Sequence, residues 1–144
     1  MRALEQRQDV SDCLEIVTAF YRHLDRGEFD RLDALMARDG LYYRPDGNAY
    51  TAGPQLITAL SKRSPTVRMA HLLSNLYTER GSPDAMKVHG YMSVFIHDDG
   101  KTYDGPAPIP ATPKTIYNLN ISMEKRGENW LITKLQNSRR FAAA

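Results

Sequence analysis

The hydrophobic period of this chain changes once, and that change restricts its architecture more than any other feature. Through the first sixty residues apolar side chains recur at helical spacing; from Val67 onward they alternate with a period of two. Val10, Cys13, Leu14, Val17, Phe20, Tyr21 and Leu24 define the apolar face of a first helix, with Asp9 or Ser11 as its N-cap and residues 1–8 as a frayed end before it. Gly27 interrupts this helix. Phe29, Leu32, Leu35 and Met36 then mark a second, shorter helix ending near Asp39 and Gly40, so the two form a hairpin. A short strand is expected at Leu41–Arg44, stopped by the turn formers Pro45, Asp46, Gly47 and Asn48. Gly53 and Pro54 open a third helix carrying Leu56, Ile57 and Leu60, and Pro65 closes it.

Four long strands follow by period, at Val67–Glu79, Ala85–Asp98, Lys114–Arg126 and Trp130–Arg140, with hairpin connections at Gly81–Asp84 and Gly127–Asn129. Helices first and antiparallel strands afterwards predict one α+β domain over residues 1–144. Its helices would cover one face of a curved sheet and leave a cone-shaped hollow between them. Residues 98–113 hold Pro106, Pro108, Pro110 and Pro113, a density that cannot sit centrally in a sheet. This segment reads as a surface loop or pocket lid, or as an arm that covers an edge or touches another subunit.

Composition excludes several classes. A chain of 144 residues that is 42% hydrophobic and 25% charged can bury a core. Its net charge of +2 is scattered, and the nearest basic clusters, Lys62–Arg63 and Arg139–Arg140, make no stripe for nucleic acid. A single cysteine, Cys13, lies on the apolar helix face, as expected of a buried, inert thiol in a reducing compartment. The N-terminus has no hydrophobic signal segment and no apolar run approaches a membrane span, so a soluble, cytoplasmic protein is expected. There is no glycine-rich phosphate loop and no Cys or His cluster at zinc spacing, and Asp98-Asp99-Gly100 is too short for a calcium loop. Neither a metal nor a cofactor is therefore expected.

Two residues carry the chemistry. Asp25 falls at the flank of the first helix's apolar stripe and can point inward, whereas His23 falls nearly opposite. Alternation puts Val67, Met69, His71, Leu73, Asn75 and Tyr77 on one strand face, so His71 has largely apolar company. A carboxylate on one ring nitrogen fixes the tautomer and stabilises imidazolium, leaving the other nitrogen to move a proton. Desolvation by Phe20, Met69 and Leu73 would strengthen the coupling. The alternative is a structural histidine bonded within the core and an aspartate that caps the helix or pairs with Arg26. Asn75 could donate to a carbonyl or satisfy a backbone group at the strand end. His97, beside Asp98-Asp99-Gly100, reads as a turn histidine, and His89 as solvent-side or interfacial.

The Leu24-Asp25-x-x-Glu28-Phe29-Asp30-Arg31-Leu32 turn, the His71-Leu72-Leu73-Ser74-Asn75 strand and the terminal Gly127-x-x-Trp130 hairpin together resemble the SnoaL-like branch of the nuclear transport factor 2 superfamily. The resemblance covers nearly the whole chain. It implies a curved antiparallel or mixed sheet wrapped around the helical hairpin and third helix, with Asp25 and His71 in the places of a catalytic pair. It also implies roles for Tyr43, aligned with a strand tyrosine of scytalone dehydratases; for Asn118 and Asn120, at polar pocket positions; and for His97, one residue out of register with a second histidine. Arg139 stands where bile-acid dehydratases carry an arginine, and Tyr21 stands beside Phe20, where they carry a tyrosine. Leu24 replaces the tyrosine that precedes the aspartate in scytalone dehydratases, a departure that weighs against the identical reaction. The function so implied is a cofactor-independent lyase or isomerase acting as a homodimer on a hydrophobic cyclic or polyketide-like molecule. The alternative is a small-molecule carrier or a dimerising accessory subunit, such as the small subunit of ring-hydroxylating dioxygenases. Asn118 and Asn120 could equally hydrogen-bond across a dimer.

Overall fold

The computed structural model describes residues 2–142. Helix α1 (Ala3–Arg26) lays Cys13, Val17, Phe20, Tyr21 and Leu24 into the core, as its periodicity predicts. It starts six residues before the expected cap at Asp9. Asp9 is instead an interior helical residue, buried, and its carboxylate accepts from Trp130 Nε1 (3.0 Å) and from Arg80 Nη2 (3.1 Å). The helix ends at Gly27, whose φ of 72° is the left-handed conformation that lets Gly27 N–H and Glu28 N–H turn back onto the carbonyls of Leu24 and His23.

Helix α2 (Phe29–Asp33) is shorter than expected, because Met36 begins a strand, β1 (Met36–Tyr43), rather than ending a helix. Asp39 and Gly40 do not terminate an element. They form an irregularity in the pairing of β1 with its parallel neighbour, where a Cβ at Gly40 would lie 2.8 Å from the Ala37 carbonyl and 3.0 Å from that of Ile132. The turn at Pro45–Asn48 leads into β2 (Ala49–Thr51), a short strand that alternation over three residues cannot signal. Helix α3 (Pro54–Leu60) has proline at its first position, and the buried Asp33 carboxylate accepts the Gly53 N–H (2.6 Å) and Arg38 Nη1 (2.8 Å), which anchors it to the end of α2.

The remaining strands are β3 (Arg68–Ser82), β4 (Ala85–His97), β5 (Thr115–Arg126), β6 (Asn129–Leu135) and β7 (Ser138–Arg139). All seven join one mixed sheet in the order β2-β1-β6-β5-β4-β3, with β1 and β6 parallel, and β7 pairs with β5. The sheet does not close. It curls over the helices as an α+β cone whose core is built by Phe20, Leu32, Met36, Leu56, Ile121, Met123, Ile132 and Leu135.

Two breaks in regularity shape the site. In β3, Ser74 faces Tyr91 and Tyr77 faces His89, so Asn75 and Leu76 together oppose the single residue Gly90. Asn75 takes up the extra length with φ 53°, and the alternation that puts it beside His71 in sequence is reset there. The expected last strand, Trp130–Arg140, is interrupted at Gln136 and Asn137: β6 pairs with Ile121–Arg126 of β5, and β7 resumes on Tyr117 and Asn118. The proline-rich segment 98–113 contains no helix or strand. Arg68 ties it to the carbonyls of Tyr103 (2.8 Å) and Gly105 (2.7 Å), beside the β3 edge of the sheet.

Candidate active site

The end of α1 and the start of β3 meet at Asp25 and His71. Asp25 Oδ1 lies 2.5 Å from His71 Nδ1, and Asp25 Oδ2 accepts the backbone N–H of His71 at 3.1 Å. The His71 side chain is 8% exposed and that of Asp25 23%. With Nδ1 bonded to a carboxylate that holds its proton, Nε2 is the ring nitrogen left as an acceptor.

The Tyr21 ring packs on that imidazole, with centroids 5.2 Å apart. Asn137, set free from the ladder by the break after β6, donates from Nδ2 to the Tyr21 hydroxyl oxygen at 2.9 Å. The N–H of Asn120 donates to Asn137 Oδ1, also at 2.9 Å, and this fixes which end of the amide faces the phenol. Tyr21 O–H is thus left to donate elsewhere. Burial pushes the Tyr21 phenol well above its ordinary pKa, further raised by neighbouring Tyr42, and the Asn137 bond only partly offsets this, so it stays a hydrogen-bond donor at any physiological pH.

Arg63 completes the support. Its Nη1 donates to the Leu24 carbonyl (2.5 Å) and approaches Met69 Sδ (3.3 Å), Nη2 reaches the Asp25 carbonyl (3.5 Å), and the guanidinium lies 5.2 Å from the Phe29 ring centroid. These carbonyls belong to the last turn of α1, so a cation there also meets the negative end of the helix dipole. Burial lowers the Arg63 pKa and the Asp25 charge works against that.

All of this opens on a cavity of about 490 Å³ lined mainly by apolar groups, among them Leu24, Phe29, Met69, Met92, Val94 and Ile96, with His71, Tyr21 and Asn137 also in its lining. Of the residues singled out by sequence, Tyr21, Tyr43, Met69 and His71 line this cavity, and Asp25 stands directly behind His71. Phe20 is fully buried beneath it, stacked 6.1 Å from Tyr42, and Leu73 packs against the core.

The others lie elsewhere. Asn75 and Asn118 line a separate concavity of about 410 Å³ on the opposite face of the sheet, with Tyr77, His89 and Tyr91. Asn120 shares that outer face, since Leu119 and Ile121 on either side of it are buried in the core. The paired amides therefore mark the outside of the cone and not its interior. His97 turns away from the cavity that Ile96 lines and stands 3.4 Å from Asp99 and 5.7 Å, ring to ring, from Tyr103. Arg139 is opposite Tyr117 in register, exposed and outside the cavity lining. No residue of 98–113 lines the cavity either, so the proline-rich segment is no lid in this conformation.

Asn137, Tyr42, Tyr117 and Arg44 were not named as site residues by sequence reasoning, which noted Lys62 and Arg63 only as a basic cluster. The adjacent polar residues Gln136 and Asn137 inside an otherwise alternating strand were the available signal for the first of these. Among the described residues, no three His, Cys, Asp or Glu side chains are grouped as they would be around a metal ion. Among the described residues, no helix is long and apolar enough to cross a membrane.

A cone of curved sheet over three helices, enclosing a carboxylate–imidazole pair at the end of an apolar hollow, is the build of a small-molecule pocket domain. Residues 3–136 match the SnoaL-like domain, and the chain belongs to that family. Solved structures agree in fold. A scytalone dehydratase-like protein from Novosphingobium aromaticivorans superposes with a TM-score of 0.80 at 13% identity, covering 97% of this chain and 89% of that one. A hexachlorocyclohexane dehydrochlorinase, LinA type 2, gives 0.75 at 13% identity over 97% and 90%. ActVI-ORFA from Streptomyces coelicolor gives 0.73 at 13% identity over 90% and 96%. At such identities the likeness is one of fold. No curated protein matches the sequence.

Proposed function

We propose that this chain is a cofactor-independent lyase or isomerase that moves a proton on a hydrophobic cyclic or polyketide-like small molecule. The observation that carries the reading is the Asp25–His71 pair, with Tyr21 packed on it, presented to a largely apolar cavity that His71 and Tyr21 line. His71 Nε2 removes a proton from a carbon next to a carbonyl, and the C–H electron pair moves into the enolate. Asp25 holds the tautomer and balances the imidazolium that forms. Tyr21 O–H, freed by the Asn137 amide, donates to the developing oxyanion. The enolate then collapses either by expelling a β-substituent, which is elimination, or by taking the proton back at another carbon, which is isomerisation. Dehydratase and dehydrochlorinase names among proteins of this fold support the elimination branch.

The test is solvent exchange. A panel of cyclic ketones incubated with the protein in deuterium oxide is expected to lose α-protons, followed by proton NMR, and His71→Gln is expected to slow that loss by about 10² to 10⁴-fold. Exchange no faster than in buffer, or undiminished in His71→Gln, would sink the catalytic reading and leave a carrier or accessory subunit.

A homodimer is part of the same reading. The outer sheet face exposes Leu72 and Tyr77 (55% and 59%), and beneath it His89 Nε2 and Asn120 Oδ1 lack partners among the described residues. Sedimentation equilibrium is expected to return twice the monomer mass, and a single-chain mass would refute the pairing.

A further inference from the structure

The cavity has a charge pattern that the proton-transfer reading does not use. Its lining includes three cations, Arg44, Lys62 and Arg63, and no Asp or Glu. Among the described residues none of the three makes a salt bridge. Asp46, two residues beyond Arg44, has Oδ1 engaged by the Asn48 N–H (2.9 Å) and feels the Arg44 charge at a distance, without a salt bridge to it. Arg63 is held by main-chain carbonyls, and its Nε–H is without a partner among the described residues.

Exposure orders the lining from floor to rim. Tyr21, Leu24, Leu60, Met92 and Val94 are at most 7% exposed and form the floor, whereas Arg44, Pro45, Lys62, Ser64 and Ile96 are exposed and lie where the cavity meets water. The Asp25 carboxylate behind His71 would repel an anion at the floor, while the rim attracts one.

Resting on the reading of this cavity as a substrate site, we infer that its ligand is an amphipathic organic anion, with an apolar ring body on the floor against His71 and a carboxylate at the rim among Arg44, Lys62 and Arg63. Uncharged substrates fill the same floor and leave these cations without a salt bridge among the described residues. A carboxylated one pairs them and is oriented end to end, with its reacting carbon directed inward to Nε2.

Two fluorescent probes of nearly the same shape separate the charge from the body: 1-anilinonaphthalene-8-sulfonate, and N-phenyl-1-naphthylamine, which lacks the sulfonate. At about 20 mM salt the anion is expected to bind about threefold to a hundredfold more tightly, as for one to three partly exposed charge contacts, and that margin shrinks at about 0.5 M salt. The double substitution Arg44→Gln with Lys62→Gln is expected to remove most of the anion's advantage, leaving only the share that Arg63 supplies, without altering the neutral probe. Arg63 is left in place because it also caps α1. Lys87→Gln, on the outer sheet face, is expected to change neither.

Equal binding of the two probes, or an anion preference undiminished by the double substitution, would overturn the inference while leaving the proton-transfer reading standing. Binding of neither would remove the cavity as a ligand site and both readings with it. Displacement by 1-naphthoate but not by 1-naphthamide is the result expected of a carboxylate site; displacement by both alike would contradict it.

Discussion

Asp25 holds His71 twice, by the ring at Nδ1 (2.5 Å) and by the backbone N–H (3.1 Å), so one carboxylate sets both the tautomer and the position of the strand beneath it. An amide cannot do both. In Asp25→Asn the single oxygen satisfies either the backbone N–H or an Nδ1–H, and the NH2 group faces whichever nitrogen remains. With the oxygen on the backbone, NH2 donates to Nδ1 and the ring proton moves to Nε2, the nitrogen that faces the cavity. The expected outcome is an inverted tautomer, read from ring-nitrogen NMR shifts, together with a loss of turnover of about 10² to 10⁴-fold. An unchanged tautomer with full turnover would assign Asp25 a purely structural place.

Tyr21→Phe separates the oxyanion donor from the packing. The ring remains packed on His71 and the core loses only a hydroxyl, but Asn137 Nδ2 loses its acceptor. Stability is expected to fall by about 1–2 kcal/mol, as for a buried donor left unpaired. The rate is expected to fall about 10²-fold or more with little change in KM, because the bond matters mainly in the transition state. A variant whose loss appears only in the melting temperature would argue for a structural phenol.

The Asp25–His71 meeting was legible in the sequence because both halves sit on regular elements, where periods of 3.6 and 2 fix direction. The α+β order and the bounds of β4 and β5, to within a residue, follow from the same periods; Pro54 marks the start of α3, but the helix ends at Leu60, short of the Pro65 expected to close it. What regular periods cannot show is where they are broken. Asn75 was assigned to the wrong face because the bulge at Asn75–Leu76 resets alternation, and Asn137 was missed because the break after β6 gives it no ladder partner. Asn118 and Asn120 lie on the outer face because Leu119 and Ile121 claim the inner one. Asp9 looked like a cap because its tertiary partners, Arg80, Lys125 and Trp130, lie seventy or more residues away.

That bulge depends on Gly90. A Cβ there would lie 2.7 Å from Leu76 Cδ2 and 2.9 Å from the Ser74 carbonyl oxygen, and the second of these is backbone that cannot turn aside. Gly90→Ala is expected to cost about 1–3 kcal/mol in chemical denaturation, as an overpacked contact. It is also expected to shift the amide resonances of Ser74, Asn75 and Leu76 more than those around Asp25. Wild-type stability in this variant would mean that β3 relaxes there freely.

Asp9 makes stability depend on acid. Burial opposes its ionisation, but hydrogen bonds from Trp130 and Arg80 and the charge of Lys125 outweigh that, and hold the carboxyl below its ordinary pKa. An unfolded aspartate ionises near about 3.9. Since the folded value is lower, the contribution of Asp9 is fully present above the unfolded pKa and is lost as pH falls through the folded one. Asp9→Asn removes the charge but keeps the shape, leaving Arg80 and Lys125 without their counterion. It is expected to lower stability by about 2–4 kcal/mol at neutral pH. Because the variant has no carboxyl to protonate at this position, the gap between the two proteins, measured by urea unfolding, should hold steady above about pH 5 and narrow below about pH 4. A gap of constant size down to pH 3 would show that the loss comes from packing and not from the charge of Asp9.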